Sequence, residues 1–302
     1  MTLLDRAVVT LLPAVPRPIV RKLSSRYIAG PTLEDALRVV TELNAQGKLA
    51  TVDVLGEEVA REDEAAAIAA QYVAALDAFE REGLDANVSV KPTGLGLKLG
   101  YELCKRNLET VIAAAEPTGR FVRIDMEDSS TTDETLRLFS ELRDEGHPRV
   151  GPVLQASLRR TRADAEALAG VSVRICKGIY VEPESIQFRD DREVRENFVG
   201  SLETLLDGGS YAAIATHDEW LVDEARRIVR ERGLTADRYE FQMLLGVRPE
   251  LGDGITADGH RLRIYVPFGS QWYEYSLRRL QENPKIAGYV AGDLGRSLLG
   301  RR

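Results

Sequence analysis

What most constrains this chain is an alternation, repeated eight times, between a short β-branched run and a longer stretch of helical period. Ala50 to Leu55 is followed by Arg61 to Glu82, Asn87 to Lys91 by Tyr101 to Glu116, Arg120 to Asp125 by Thr131 to Glu145, and Gly151 to Ala156 by Thr161 to Leu168. The second half repeats the scheme. Val171 to Cys176 precedes Arg192 to Asp207, Ala212 to Thr216 precedes Trp220 to Arg232, Tyr239 to Leu245 precedes a weak helical stretch near Pro249, and Arg261 to Val266 precedes Trp272 to Glu282. A helix between two strands carries the chain back to the edge where the first strand began. The sheet is therefore expected to be parallel, with right-handed crossovers. Eight units predict an α/β fold closed as a (β/α)8 TIM-type barrel. A doubly wound open sheet is the competing fold, but no GxGxxG follows the first strand, as a dinucleotide-binding domain of that kind needs.

The 302 residues, 44% of them hydrophobic, suit one barrel with additional segments. Residues 1–48 are expected to form an N-terminal helical segment, with helical residues at 31 to 46, and residues 49–302 one barrel domain. A net charge of −8 argues against a nucleic-acid partner. Cys104 and Cys176 lie in unrelated segments, and His147, His217 and His260 show no ligand spacing, so neither a disulfide framework nor a metal is expected. No apolar run approaches the roughly 20 residues that span a bilayer. Ala7 to Val15 is short and apolar, with Asp5 and Arg6 before it and Pro16, Arg17, Pro18, Arg21 and Lys22 after it. It reads as a short amphipathic helix, with a membrane-surface helix left open, and it lacks the small-residue cleavage site of a signal peptide.

In such a barrel, catalytic groups sit where strands end and loops begin. The ends here carry Asp53 and Glu57, Lys91, Asp125 and Glu127, Gln155, Arg174 and Lys177, Thr216 and His217, Gln242, and Tyr265. One polar strand end is most often a loop cap, but a full set converging on one mouth reads as a site. Lys91 ends Val88-Ser-Val-Lys and precedes Pro92. It is a candidate anion binder or Schiff-base nucleophile, with a solvated strand-end lysine as the plain alternative. Asp125 ends the neighbouring strand, and an ion pair between it and Lys91 is expected. In Arg174-Ile-Cys-Lys-Gly-Ile-Tyr, Gly178 lets backbone approach a ligand and the two cations favour a phosphate or an electron-rich ring.

Tyr275, Arg278, Arg279 and Glu282 fall at i, i+3, i+4 and i+7 of the last helical stretch and so share one face. The adjacent arginines differ by about 100° around the axis, so both can approach one carboxylate. The planar guanidinium fork matches that group. A solvated charged face is the plain alternative.

Taken in order, these segments resemble the proline dehydrogenase family, in its monofunctional bacterial type. The pieces are Asp53-Val-Leu-Gly-Glu57, Val90-Lys91-Pro-Thr, Arg123-Ile-Asp125-Met-Glu, Leu154-Gln155-Ala, Arg174-Ile-Cys-Lys-Gly-Ile-Tyr, and Ala215-Thr-His217-Asp. Tyr239-Glu-Phe-Gln-Met-Leu-Leu-Gly246, Arg263-Ile-Tyr-Val-Pro-Phe-Gly269 and Tyr275-Ser-Leu-Arg-Arg-Leu-Gln-Glu282 complete the series. The resemblance spans residues 30 to 285 and implies a distorted barrel with the last helix over its mouth and FAD held non-covalently. It also implies oxidation of L-proline to Δ1-pyrroline-5-carboxylate, the first step of proline catabolism, with electrons passed to a membrane quinone. A pyrroline-5-carboxylate dehydrogenase is implied as downstream partner. The implied location is cytoplasmic, with a peripheral position at the inner membrane face as a further expectation.

Carried over by position, the resemblance assigns Lys91, Arg278 and Arg279 to the substrate carboxylate. Tyr265, Tyr275 and Leu244 would wall the ring, and Glu282 would sit beside the arginines. Asp125 and Arg174 are the implied catalytic pair of residues, with Asp125 orienting Lys91 and Arg174 near the flavin N5. Met126, Gln155, Arg174, Lys177, Gly178, Ile179, Thr216 and His217 would contact FAD. Glu57 and Arg278 would form a gate over the open site. Ile179 departs from the family, which usually has alanine there, and brings a larger side chain close to the flavin. The alternative reading is a Schiff-base aldolase-type barrel using Lys91, which would hold no flavin.

Overall fold

The structure, a computed structural model, describes residues 26–273, 275 and 276. Helix α1 (Leu33–Ala45) comes first, opened by a capping box between Thr32 and Asp35. Then follow β1 (Leu49–Val54), α2 (Glu62–Glu82), β2 (Ala86–Val90), α3 (Tyr101–Ala115), β3 (Val122–Ile124), α4 (Thr132–Asp144), β4 (Val150–Gln155) and α5 (Thr161–Ala167). The second half runs β5 (Ser172–Cys176), α6 (Asp191–Asp207), β6 (Tyr211–Ala215), α7 (Glu219–Glu231), β7 (Tyr239–Leu244), α8 (Pro249–Ala257) and β8 (Leu262–Phe268). The strands close in sequence order into one parallel barrel, with β8 paired to β1 from Leu49↔Arg263 to Val54↔Phe268. The open-sheet alternative is thereby excluded.

Local sequence accounts for the elements. Helix α2 places Glu62, Asp63 and Glu64 against the positive end of its dipole and stops at Gly83, whose φ of 63° suits a left-handed cap. Its buried residues Ala65, Ile68, Ala69, Tyr72, Leu76 and Phe79 recur at spacings of three and four, so one stripe faces the barrel. Helix α6 is capped by Asp190, whose carboxylate accepts from the backbone N–H of Arg192 and Glu193. The third strand is shorter than the run Arg120 to Asp125 predicts. Arg120 closes the turn after α3 and donates from Nη1 to the carbonyls of Leu84 and Ala86 at 2.8 and 2.7 Å.

Alternation along each strand divides the residues into two sets. Val52, Val88, Val90, Ile124, Val173, Ile175, Ile214, Phe241 and Val266 turn outward to the helices and form the main apolar core with them. The inward set differs from the branched aliphatic layers that usually fill such a barrel. It holds Asp53, Ser89, Arg123, Asp125, Arg174, Glu240, Gln242 and Arg263, all buried; Ser89, Asp125, Arg174, Gln242, Glu240 and Arg263 are linked by hydrogen bonds, while Arg123 donates to the carbonyls of Pro152 and Ser172. Among the described residues no helix is long and apolar enough to cross a membrane.

Candidate active site

At the carboxyl ends of the strands the inward set opens into a cavity of about 440 Å³, within the range of small-molecule sites. Glu57, Lys91, Asp125, Met126, Gln155, Arg174, Lys177, Gly178, Ile179, Thr216, His217, Leu244 and Tyr265 all line it. Residues from loops and strands far apart in sequence are thus brought to one space. Tyr275 packs instead in a small apolar cluster with Ile28 and Leu55. Arg278, Arg279 and Glu282 lie outside the described residues, as does the stretch Ala7 to Val15.

The ionic pairing differs from the expectation. Lys91 and Asp125 directly follow the neighbouring strands β2 and β3, whose register aligns Val90 with Ile124. The Lys91 ammonium nevertheless turns to β1, 2.6 Å from Asp53 Oδ2 and 3.8 Å from Glu57 Oε1. Asp125 pairs instead with Arg174, whose Nη1 donates to Asp125 Oδ1 at 2.6 Å. One hydroxyl joins the two systems: Lys91 Nζ donates to the Tyr265 oxygen at 3.1 Å, and Tyr265 donates to Asp125 Oδ2 at 2.8 Å. Ser89 adds a second donor to Asp125 Oδ1 at 2.6 Å and accepts from Arg174 Nη1 at 2.9 Å. The network continues inward. Arg174 Nε donates to Gln242 Oε1, Gln242 Nε2 donates to Glu240 Oε1, and Glu240 pairs with Arg263 at 2.8 Å. Arg174 Nη2 is buried and has no protein partner.

Electrostatics follow from this packing. Burial alone would push the Lys91 ammonium down, but the carboxylates of Asp53, Glu57 and Asp125 outweigh it and hold the pKa well above its ordinary value. A lysine so held is not the neutral amine that a Schiff base requires, which counts against the aldolase reading. Burial raises Asp53, only partly offset by Lys91. Burial likewise raises the Tyr265 phenol, helped by the nearby charge of Asp125. Glu127 is pushed up to about 7 by burial, against the hydrogen bonds it accepts from the Thr93 N–H at 2.8 Å and hydroxyl at 2.6 Å.

The opposite wall is backbone and amide. Gly178 has φ of 92°, and a Cβ there would meet Ser157 Oγ at 2.5 Å and Gln155 Oε1 at 3.0 Å. Gln155 in turn donates to the Glu127 carbonyl at 2.8 Å. His217 Nε2 accepts from the Leu244 N–H at 2.8 Å, so this nitrogen carries no proton. Lys177 reaches Asp218 at 3.2 Å, and Asp218 is also gripped by Arg195 through two hydrogen bonds. Ile179 stands 51% exposed at the cavity edge.

Several participants escape a reading of strand ends. Ser89 was findable, because it precedes Lys91 by two residues and so shares its face. Tyr180 lines the cavity directly after Ile179, and adjacency to the glycine loop was its only signal. Tyr72 carries none. It sits mid-helix in α2, yet its hydroxyl donates to Asp53 Oδ1 at 3.2 Å and accepts from the Val54 N–H at 3.1 Å.

A closed parallel barrel whose mouth gathers an ionic network around one cavity defines a (β/α)8-barrel enzyme. The family model described as proline dehydrogenase matches residues 36–291. Proline dehydrogenase 1 of Bacillus subtilis (strain 168) is 36% identical over 267 residues, 88% of this chain and 88% of that protein. The proline dehydrogenase of Deinococcus radiodurans is 34% identical over 274 residues, 89% and 88% of the two chains. The chain belongs to the proline dehydrogenase family and is an enzyme of that family. The bifunctional protein PutA of Escherichia coli is 24% identical over 95% of this chain and 26% of its own length. Among solved structures, proline utilization A from Bdellovibrio bacteriovorus, inactivated by N-propargylglycine, has the same fold, with a TM-score of 0.81 and 24% identity. The match covers 90% of this chain and 36% of that one, so the chain spans about a third of that protein.

Proposed function

We propose that this enzyme oxidises L-proline to Δ1-pyrroline-5-carboxylate using non-covalently bound FAD, with a membrane quinone as electron acceptor. The observation that carries the reading is the two-sided cavity. One wall, from β8 through β3, presents Lys91, Tyr265 and Glu57; the other, from β4 through β7, presents Gln155, Arg174, the Lys177-Gly178 backbone, Thr216 and His217. The second wall fits a flavin. Gly178 packs against Ser157 and Gln155 too closely for any side chain, so it presents bare backbone to the cavity, and Arg174 Nη2 is a buried donor without a protein partner. Met126, Gln155, Arg174, Lys177, Gly178, Ile179, Thr216 and His217 would hold the cofactor. Ile179 is half-exposed at the edge.

FAD, when bound, supplies the two-electron acceptor. The protein supplies position and field. Lys91, kept charged by Asp53 and Glu57, would bind the carboxylate together with Arg278 and Arg279, fixing the ring at reacting distance. Tyr265, Tyr275 and Leu244 would wall the ring, with Glu282 beside the arginines. Asp125 would act through Tyr265 and Arg174, setting the hydroxyl that faces Lys91 and the guanidinium that faces the cofactor. The positive side chains would favour the neutral amine, whose proton must leave before oxidation. Lys91, being charged, donates and cannot take that proton. Glu57, pairing with Arg278, would close the site. A pyrroline-5-carboxylate dehydrogenase, consuming the product, would be the downstream partner.

Purified protein is expected to be yellow, with its flavin bleached by L-proline under anaerobic conditions. Arg279→Met is expected to raise the proline KM strongly while FAD stays bound. Colourless protein that FAD cannot reconstitute would end this reading.

A further inference from the structure

The chain ahead of α1 runs along the rim of the barrel mouth, beside the ends of β7 and β8. Ala29 N–H donates to the Pro267 carbonyl at 2.9 Å, and Gly269 N–H donates to the Gly30 carbonyl at 3.0 Å, so the segment lies along the end of β8. The same segment touches the loop after β7. Gly246 has φ of 68°, and a Cβ there would stand 1.8 Å from the Arg26 carbonyl oxygen. Between these backbone ties the Ile28 side chain points inward and is 3% exposed. It does not join the main core. It forms a separate cluster with Leu55, the first residue past β1, and with Tyr275; the half-buried Tyr27 and Trp272 pack around them. Leu55 is itself fixed, its N–H donating to the Phe268 carbonyl at 2.7 Å.

Tyr275 therefore has its aromatic ring held by Ile28 and Leu55, beside the end of β1. In sequence, Arg278 and Arg279 follow it by three and four residues. We propose that Ile28 is a positioning residue for substrate binding: it seats the Tyr275 ring against Leu55 at the end of β1, and thereby sets affinity for the amino-acid substrate that Tyr275 is proposed to wall. The inference rests on the cavity being the L-proline site. Ile28 is not among the residues that line the cavity, and it acts through Tyr275.

The test compares Ile28→Ala and Ile28→Val in the full chain with bound flavin. Alanine leaves a hole beside the Tyr275 ring; valine removes one methyl group. Two measurements are made, amide hydrogen exchange over residues 271–276 and steady-state kinetics with L-proline. Ile28→Ala is expected to speed exchange there about tenfold and to raise KM about fivefold or more, with kcat within about twofold and flavin per chain unchanged. Ile28→Val is expected to restore both readouts to near the wild-type values. Exchange over 271–276 unmoved by Ile28→Ala would overturn the proposal, as would an unchanged KM in a variant whose melting temperature falls. Wild-type flavin that L-proline does not reduce would instead sink the substrate reading, while the exchange comparison would still decide whether Ile28 holds Tyr275.

Discussion

Arg174 Nη1 donates to Asp125 Oδ1 at 2.6 Å, spanning the barrel interior from β5 to the residue just past β3. The pair is the middle of a hydrogen-bonded chain running from Lys91 at the mouth, through Tyr265 and Gln242, to Glu240 and Arg263 nearer the opposite end. Burying these ions costs desolvation energy, which is offset only because each charge meets an opposite charge or a dipole.

Removal of one member exposes that dependence. Asp125→Ala leaves the Arg174 guanidinium buried without a counter-charge, at an expected cost of roughly 3–5 kcal/mol in urea unfolding. The double variant Asp125→Ala, Arg174→Met removes both charges and is expected to regain a large part of that loss. Additive losses in the two-residue cycle would mean that the pair is not coupled.

Glu127 gives a pH dependence of definite sign. Its carboxyl rises from 4.5 to about 7 in the folded protein because it is buried. The folded state therefore binds this proton more tightly than the unfolded chain. The associated stability is full below about pH 4.5 and is lost as pH rises toward 7, by roughly 3 kcal/mol at most. Glu127→Gln cannot titrate. Unfolding free energies measured between pH 5 and 7.5 are expected to fall less steeply in the variant than in the wild type, and parallel curves would assign the proton elsewhere.

Gly178→Ala tests the cofactor wall. The added methyl meets Ser157 Oγ and Gln155 Oε1, and the φ of 92° disfavours any side chain. Gln155 must shift, and flavin affinity is expected to fall about tenfold or more, read as FAD retained per chain after gel filtration. Full retention would show that Gln155 and Gly178 do not form the flavin bed.

The eightfold alternation, the order of elements and the parallel closed barrel were legible in the sequence. They rest on local periodicity, a two-residue repeat in strands and one near 3.6 residues in helices, which any window of chain displays. The polar strand ends were legible for the same reason, since Asp53, Lys91, Asp125, Arg174 and Tyr265 interrupt apolar runs at the points where strands must stop. Their partners were not. Strand order pointed to Lys91 with Asp125, and tertiary structure gave Lys91 to Asp53 and Asp125 to Arg174. Strands in a closed barrel tilt and stagger, so which charges meet inside depends on the height of each residue and the reach of its side chain, not on strand succession. Tyr72, donating from a helix, and Ile28, arriving from ahead of the barrel, belong to the site's surroundings through contacts between segments far apart in the chain. Such contacts leave no periodic trace; only the folded chain selects them.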